Sequence, residues 1–61
     1  MSSLDREILG YVVEGMSNRA IAEKVHLSSH TVKFHVGQML NRSSTANRTE
    51  LSRKATQEGW V

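Results

Sequence analysis

Cysteine and proline are both missing from the 61-residue chain. Without cysteine there is no disulfide framework and no thiolate metal site, a composition that fits a reducing cytoplasm. No internal repeat, low-complexity tract or interdomain linker interrupts the sequence either. The apolar runs fall far short of the ~20 residues that a membrane-spanning helix requires, and no signal-peptide pattern opens the chain. The length allows one domain over residues 1–61 with one small core, too little for the usual layered enzyme architectures, and no glycine-rich cofactor loop is present. The most telling gap is one of charge. From Lys24 to Arg48 there is no Asp or Glu, while Lys24, Lys33, Arg42 and Arg48 supply four cations. The net charge of +2 says little alone. Its distribution suits an anionic partner, either nucleic acid or an acidic membrane surface.

Against these absences stands a clear helical patterning, so the chain reads as all-α. The first helix is expected over Ser3–Glu14. Ser2 and Asp5 have capping-box spacing, although Asp stands where Glu or Gln is preferred. Asp5 and Glu7 also lie at the positive end of the helix dipole. Ile8, Leu9, Val12 and Val13 form its apolar face, and Gly15 can take the positive φ that stops it. The second helix, Asn18–Val25, follows the N-cap Ser17. It turns Ile21, Ala22 and Val25 inward and Arg19, Glu23 and Lys24 to water. The third, Ser29–Asn41, follows the N-cap Ser28, and Val32, Val36, Met39 and Leu40 recur along it at helical spacing. Ser43-Ser44-Thr45-Ala46 reads as a polar connector. The fourth helix, Arg48–Glu58, begins with Asn47 and Glu50 at capping-box spacing and buries Leu51 and Ala55. Gly59 ends it, and Trp60 and Val61 are placed to fold back over the domain.

The third helix has an unusual outer face. Opposite its apolar stripe stand His30, Thr31, Phe34, Gln38 and Asn41, flanked by Lys33 and Gly37. Such a helix can pack on its own domain and present hydrogen-bond donors, one cation and one aromatic ring to an anionic partner. Only His26 and Leu27 separate the second helix from the Ser28 cap. Two short helices so tightly joined, the second with a polar outer face, form the helix-turn-helix arrangement, in which the second helix recognises DNA.

Ser17-Asn18-Arg19 with Ile21-Ala22, then Leu27-Ser28, Thr31-Val32-Lys33-Phe34-His35 and Asn47-Arg48-Thr49-Glu50, together resemble the LuxR-type (GerE/NarL/FixJ-like) helix-turn-helix family. The similarity runs in order along nearly the whole chain. It implies a four-helix domain that binds double-stranded DNA, with the third helix in the major groove, and that pairs as a weak homodimer on DNA through the fourth helix. It also implies a cytoplasmic transcription regulator or its C-terminal output domain, with RNA polymerase as a further partner and no membrane. The candidate DNA-binding residues are Ser17, Asn18, Ser28, His30, Thr31, Lys33, Phe34 and Gln38, of which Thr31, Lys33 and Phe34 match contact positions of the family and His30 and Gln38 come from the outer face of the third helix. Ser17, Asn18 and Ser28 sit where free helix N–H groups favour a phosphate, and Thr31 fits a phosphate-contacting threonine. Lys33 reaches base edges or phosphates, and the Phe34 ring can touch a thymine methyl. Thr49, Ser52, Arg53 and Thr56 are the candidate dimer contacts. The chain departs from the family pattern at Gly37, where a cation or polar side chain is common, and at Ser43-Ser44-Thr45, where leucine-glycine-valine is usual. Ala20 and Ser52 likewise replace a capping glutamate and an aliphatic residue. These changes should loosen the anchoring of the fourth helix more than they affect the DNA contact.

Plainer readings stand beside these. Lys33 taken alone is more often a solvated lysine, and Phe34 can instead cover the junction between the second and third helices. His26, His30 and His35 do not share one helix face, so no metal site or cofactor is expected. The many serines lack a nucleophile-elbow context, so no enzyme is expected. The alternative to a DNA-binding regulator is a helical module that keeps the fold and binds protein.

Overall fold

A computed structural model describes all residues, 1–61, as four α-helices with no strand: α1 Ser3–Val13, α2 Asn18–Val25, α3 Ser29–Ser43 and α4 Arg48–Glu58. Two of the four expected helix ranges hold at both ends. The other two shift, because Glu14 caps α1 instead of extending it and because α3 runs on to Ser43 rather than stopping at Asn41.

Every helix opens on an N-cap side chain. Ser2, Ser17, Ser28 and Asn47 each accept from the backbone N–H three residues on, at 3.0–3.1 Å. Each such cap typically stabilises its helix by ~1 kcal/mol. The second half of the capping box is absent at α1 and displaced at α4. Asp5 turns inward rather than back to Ser2, and the Glu50 carboxylate accepts from Ala46 instead of Asn47.

Every helix also closes in the same way. The N–H groups of Met16, Leu27, Thr45 and Trp60 donate to the carbonyls of Tyr11, Ala22, Leu40 and Ala55, five residues back, at 2.9–3.1 Å. In each case the residue just before that donor lies in the left-handed region, which is the Schellman closure. Gly15 and Gly59 take that conformation after α1 and α4, at φ 85° and 71°. After α2 and α3 it falls to His26 (φ 59°) and Ser44 (φ 57°), which carry a Cβ and are strained there.

One apolar cluster joins the helices. Ile8, Leu9 and Val12 of α1 meet Ile21 and Ala22 of α2, Val32, Val36 and Met39 of α3, and Leu51 and Ala55 of α4. Burying each large aliphatic side chain contributes ~1.5–3 kcal/mol, and α2 packs chiefly on α3 while α4 packs chiefly on α1. Val13, Val25, Leu40 and Trp60 sit half-buried around this cluster. Val61 stays exposed, so only the tryptophan folds back. No helix is long and apolar enough to cross a membrane.

Two polar links cross between helices. His35 Nδ1 and Asp5 Oδ1 lie 3.0 Å apart, tying the start of α1 to the middle of α3, with both side chains largely shielded from water. The Arg48 guanidinium donates to the Asn18 side-chain oxygen and to the Met16 carbonyl, which fastens the start of α4 to the start of α2. Arg19 and Glu23, four residues apart on α2, form no ion pair.

Candidate nucleic-acid interface

The packing of Val32, Val36 and Met39 into the core fixes which side of α3 faces out. His30, Lys33, Phe34, Gly37, Gln38 and Asn41 are all exposed, and together they line one shallow surface along the helix. Three and four residues apart, these positions are neighbours on a helical face. No acidic side chain is among them. Phe34 is 61% exposed, so it does not cover the α2–α3 junction. Its ring meets the His35 ring edge-on, with centroids 6.0 Å apart and planes at 79°.

At the N-terminus of α3, Ser28 and Thr31 act as a pair. Ser28 Oγ accepts from the Thr31 N–H at 3.1 Å, and the two hydroxyl oxygens lie 2.9 Å apart. Only one of the two hydroxyl protons can lie between those oxygens, so the other is free to donate outward. The N–H groups of the first helical turn also point outward there, beside the positive end of the helix dipole. The same holds at Ser17, whose Oγ caps the Ala20 N–H. Asn18 is more constrained, because its side-chain oxygen is taken by Arg48 and only its amide NH₂ is left to meet a partner. Arg48 itself is half-buried and engaged, so it adds little free charge to the acid-free segment.

The remaining candidates lie elsewhere. Thr49, Ser52, Arg53 and Thr56 line a separate concavity along α4, next to Val12, Val13 and Gly15. The three histidines are dispersed: His26 at the α2 C-terminus, His30 on the outer face of α3, and His35 against Asp5. The sequence reading missed the roles of Asp5 and Arg48, since their partners lie 30 residues away. The one available hint for Asp5 was an aspartate in a capping-box position that prefers the longer Glu or Gln.

Two short helices at a tight turn, the second packed by one face and presenting an acid-free polar face, define a DNA-binding helix-turn-helix domain of the transcription-regulator class. Residues 1–55 match the family described as bacterial regulatory proteins, luxR family, and the chain belongs to that family. Over 55 residues it is 36% identical to the transcriptional regulatory protein DegU of Brevibacillus brevis, covering 90% of this chain and 23% of that protein. It is 41% identical over 51 residues to the monoamine regulon transcriptional regulator of Klebsiella aerogenes, covering 84% of this chain and 22% of that protein. The nitrate/nitrite response regulator protein NarL of Escherichia coli is 35% identical over 46 residues, which is 75% of this chain and 21% of NarL. The chain thus spans about a quarter of the length of these curated relatives.

Proposed function

We propose that this chain is the output domain of a cytoplasmic transcription regulator and binds specific double-stranded DNA with α3 in the major groove. The observation that carries this reading is the exposed face of α3, which gathers His30, Lys33, Phe34 and Gln38 without an acid. Ser17, Asn18, Ser28 and Thr31 anchor phosphates at the N-termini of α2 and α3 and so set the register of the helix. Lys33 is the only Lys or Arg between Ser28 and Asn41, and it stands near the helix end that usually reaches base edges. It is therefore the most valuable polar contact. The whole chain, 1–61, acts as one domain and pairs weakly on DNA through Thr49, Ser52, Arg53 and Thr56 of α4. As part of a regulator it also contacts RNA polymerase.

The test is binding of wild type, Lys33→Ala and Thr31→Ala to a selected duplex and to scrambled DNA across a salt series. If Lys33 meets a guanine edge, its loss costs ~1–3 kcal/mol and relaxes preference at that base pair. If it meets only phosphate, binding weakens about equally on both DNAs and the salt slope falls by about one unit. Thr31→Ala loses affinity without changing preference or salt slope, because its hydroxyl is neutral. Wild-type affinity for both DNAs in a folded Lys33→Ala variant removes Lys33 from the interface, and a folded wild-type chain that binds neither DNA points to a protein-binding module.

A further inference from the structure

Phe34 is an expensive residue to leave in water, and it stands in the middle of the α3 face rather than at an edge. The other exposed large apolar side chains are the two chain ends, Met1 and Val61, and Leu27 in the α2–α3 turn. One helical turn beyond Phe34, on the same face, comes Gly37. A Cβ built at Gly37 would meet nothing within 4 Å, so no packing demand inside the domain excludes a side chain there. The result is a notch on the reading face, with an aromatic ring on one side and bare helix backbone on the other.

The ring is also braced. Its edge-on partner His35 is held by Asp5, so a line of contacts runs from the base of α1 to the exposed ring. A braced ring loses less rotamer freedom when it docks, which favours a specific contact over a loose greasy one.

Among the groups that base edges present in the major groove, the one apolar protrusion is a methyl on pyrimidine C5. Thymine carries it, uracil and cytosine lack it, and 5-methylcytosine carries it in the same place. We infer that the notch formed by Phe34 and Gly37 reads a pyrimidine C5-methyl group, so that 5-methylcytosine substitutes for thymine at one position of each half-site and binding responds to cytosine methylation. The inference rests on the proposed docking of α3 in the major groove. It assigns to Phe34 a discrimination made by shape and burial, where Lys33 and Gln38 discriminate by hydrogen bonds.

The experiment uses the full chain, wild type and Phe34→Ala, on a duplex selected from a random library. Each thymine is replaced in turn by uracil, and cytosine and 5-methylcytosine are compared at the responsive position. Burying one methyl group corresponds to about a fourfold change in affinity. Wild type should therefore lose about fourfold at one thymine per half-site and regain about that factor when cytosine there is methylated. Phe34→Ala, whose exposed position leaves the core intact, should bind all of these duplexes within about 1.5-fold of one another at that position. If no uracil substitution changes wild-type binding, or if the loss persists in Phe34→Ala, the methyl reading is wrong while DNA binding stands. Failure of the wild-type chain to bind any duplex overturns both.

Discussion

The polar corner at Ser43 and Thr45 offers a test of how this small core is limited. Ser43 is 9% exposed, and its hydroxyl is satisfied locally. Its Oγ lies 2.6 Å from the Met39 carbonyl, to which it donates, and 2.8 Å from Thr45 Oγ1. Beside it lies a half-open crevice of about 210 Å³, bounded by Met39, Leu51 and Trp60 among others. A leucine at position 43 would extend into that space. Full burial of its side chain would contribute ~1.5–3 kcal/mol, with the lower end applying to a half-open site. The hydroxyl pair it removes is worth ~0.5–1.5 kcal/mol net, and replacing both partners with apolar groups leaves no orphan. Ser43→Leu with Thr45→Val should thus gain ~0.5 kcal/mol, which is ~2–4 °C in Tm for a domain of this size. Ser43→Leu alone leaves the half-buried Thr45 hydroxyl short of a partner, so the double variant should exceed the sum of the singles by ~0.5 kcal/mol. Thermal and urea melts followed by far-UV circular dichroism measure both quantities. A double variant that melts at or below wild type refutes the argument. Leucine would then enter only by displacing Lys54, which donates to the Ser43 carbonyl at 2.6 Å and lies over the Trp60 ring.

Ser44→Gly should raise stability by ~0.5–1 kcal/mol, since it removes the Cβ strain of the left-handed position and offsets the added freedom of the unfolded chain; an unchanged melting midpoint would show that the strain is already relieved. Asp5→Ala and His35→Ala should each cost ~1–3 kcal/mol, and the double-mutant cycle should return a coupling above ~0.5 kcal/mol. A coupling near zero would mean that the 3.0 Å contact adds nothing to stability. Without DNA, the chain should sediment as a monomer even at high micromolar concentration, because Thr49, Ser52, Arg53 and Thr56 offer little apolar area. A tight dimer in that experiment removes the weak-pairing reading of α4.

What could be read from the residues follows the range of the forces involved. Caps and apolar periodicity are local, and Ser2, Ser17, Ser28 and Asn47 were legible as helix starts because each acts three residues away. The outer face of α3 was legible for the same reason, since Val32, Val36 and Met39 fix its orientation by spacing alone. The end of α3 was not. Its apolar stripe stops at Leu40, and the polar residues beyond look like a connector. Nothing in a serine signals that Ser44 will take the left-handed conformation and close the helix after Ser43. His26 does the same after α2, where no glycine marks the turn. The Asp5–His35 and Arg48–Asn18 links leave no periodic trace, because each joins residues that only tertiary packing brings together.

The Arg48 link bears on how far this domain can be cut down. Its guanidinium holds both the Asn18 side chain and the Met16 carbonyl, at the foot of the helix proposed to seat a phosphate. Leu51 and Ala55, one and two turns further along, complete the same core that α1 to α3 share. A fragment ending before α4 would lose the donor for two polar groups and strip α1 of the helix it chiefly packs against. The two-helix motif is therefore not a portable reading head. Grafting α2 and α3 alone onto another scaffold would transfer the side chains that face DNA without the fastening that aims them.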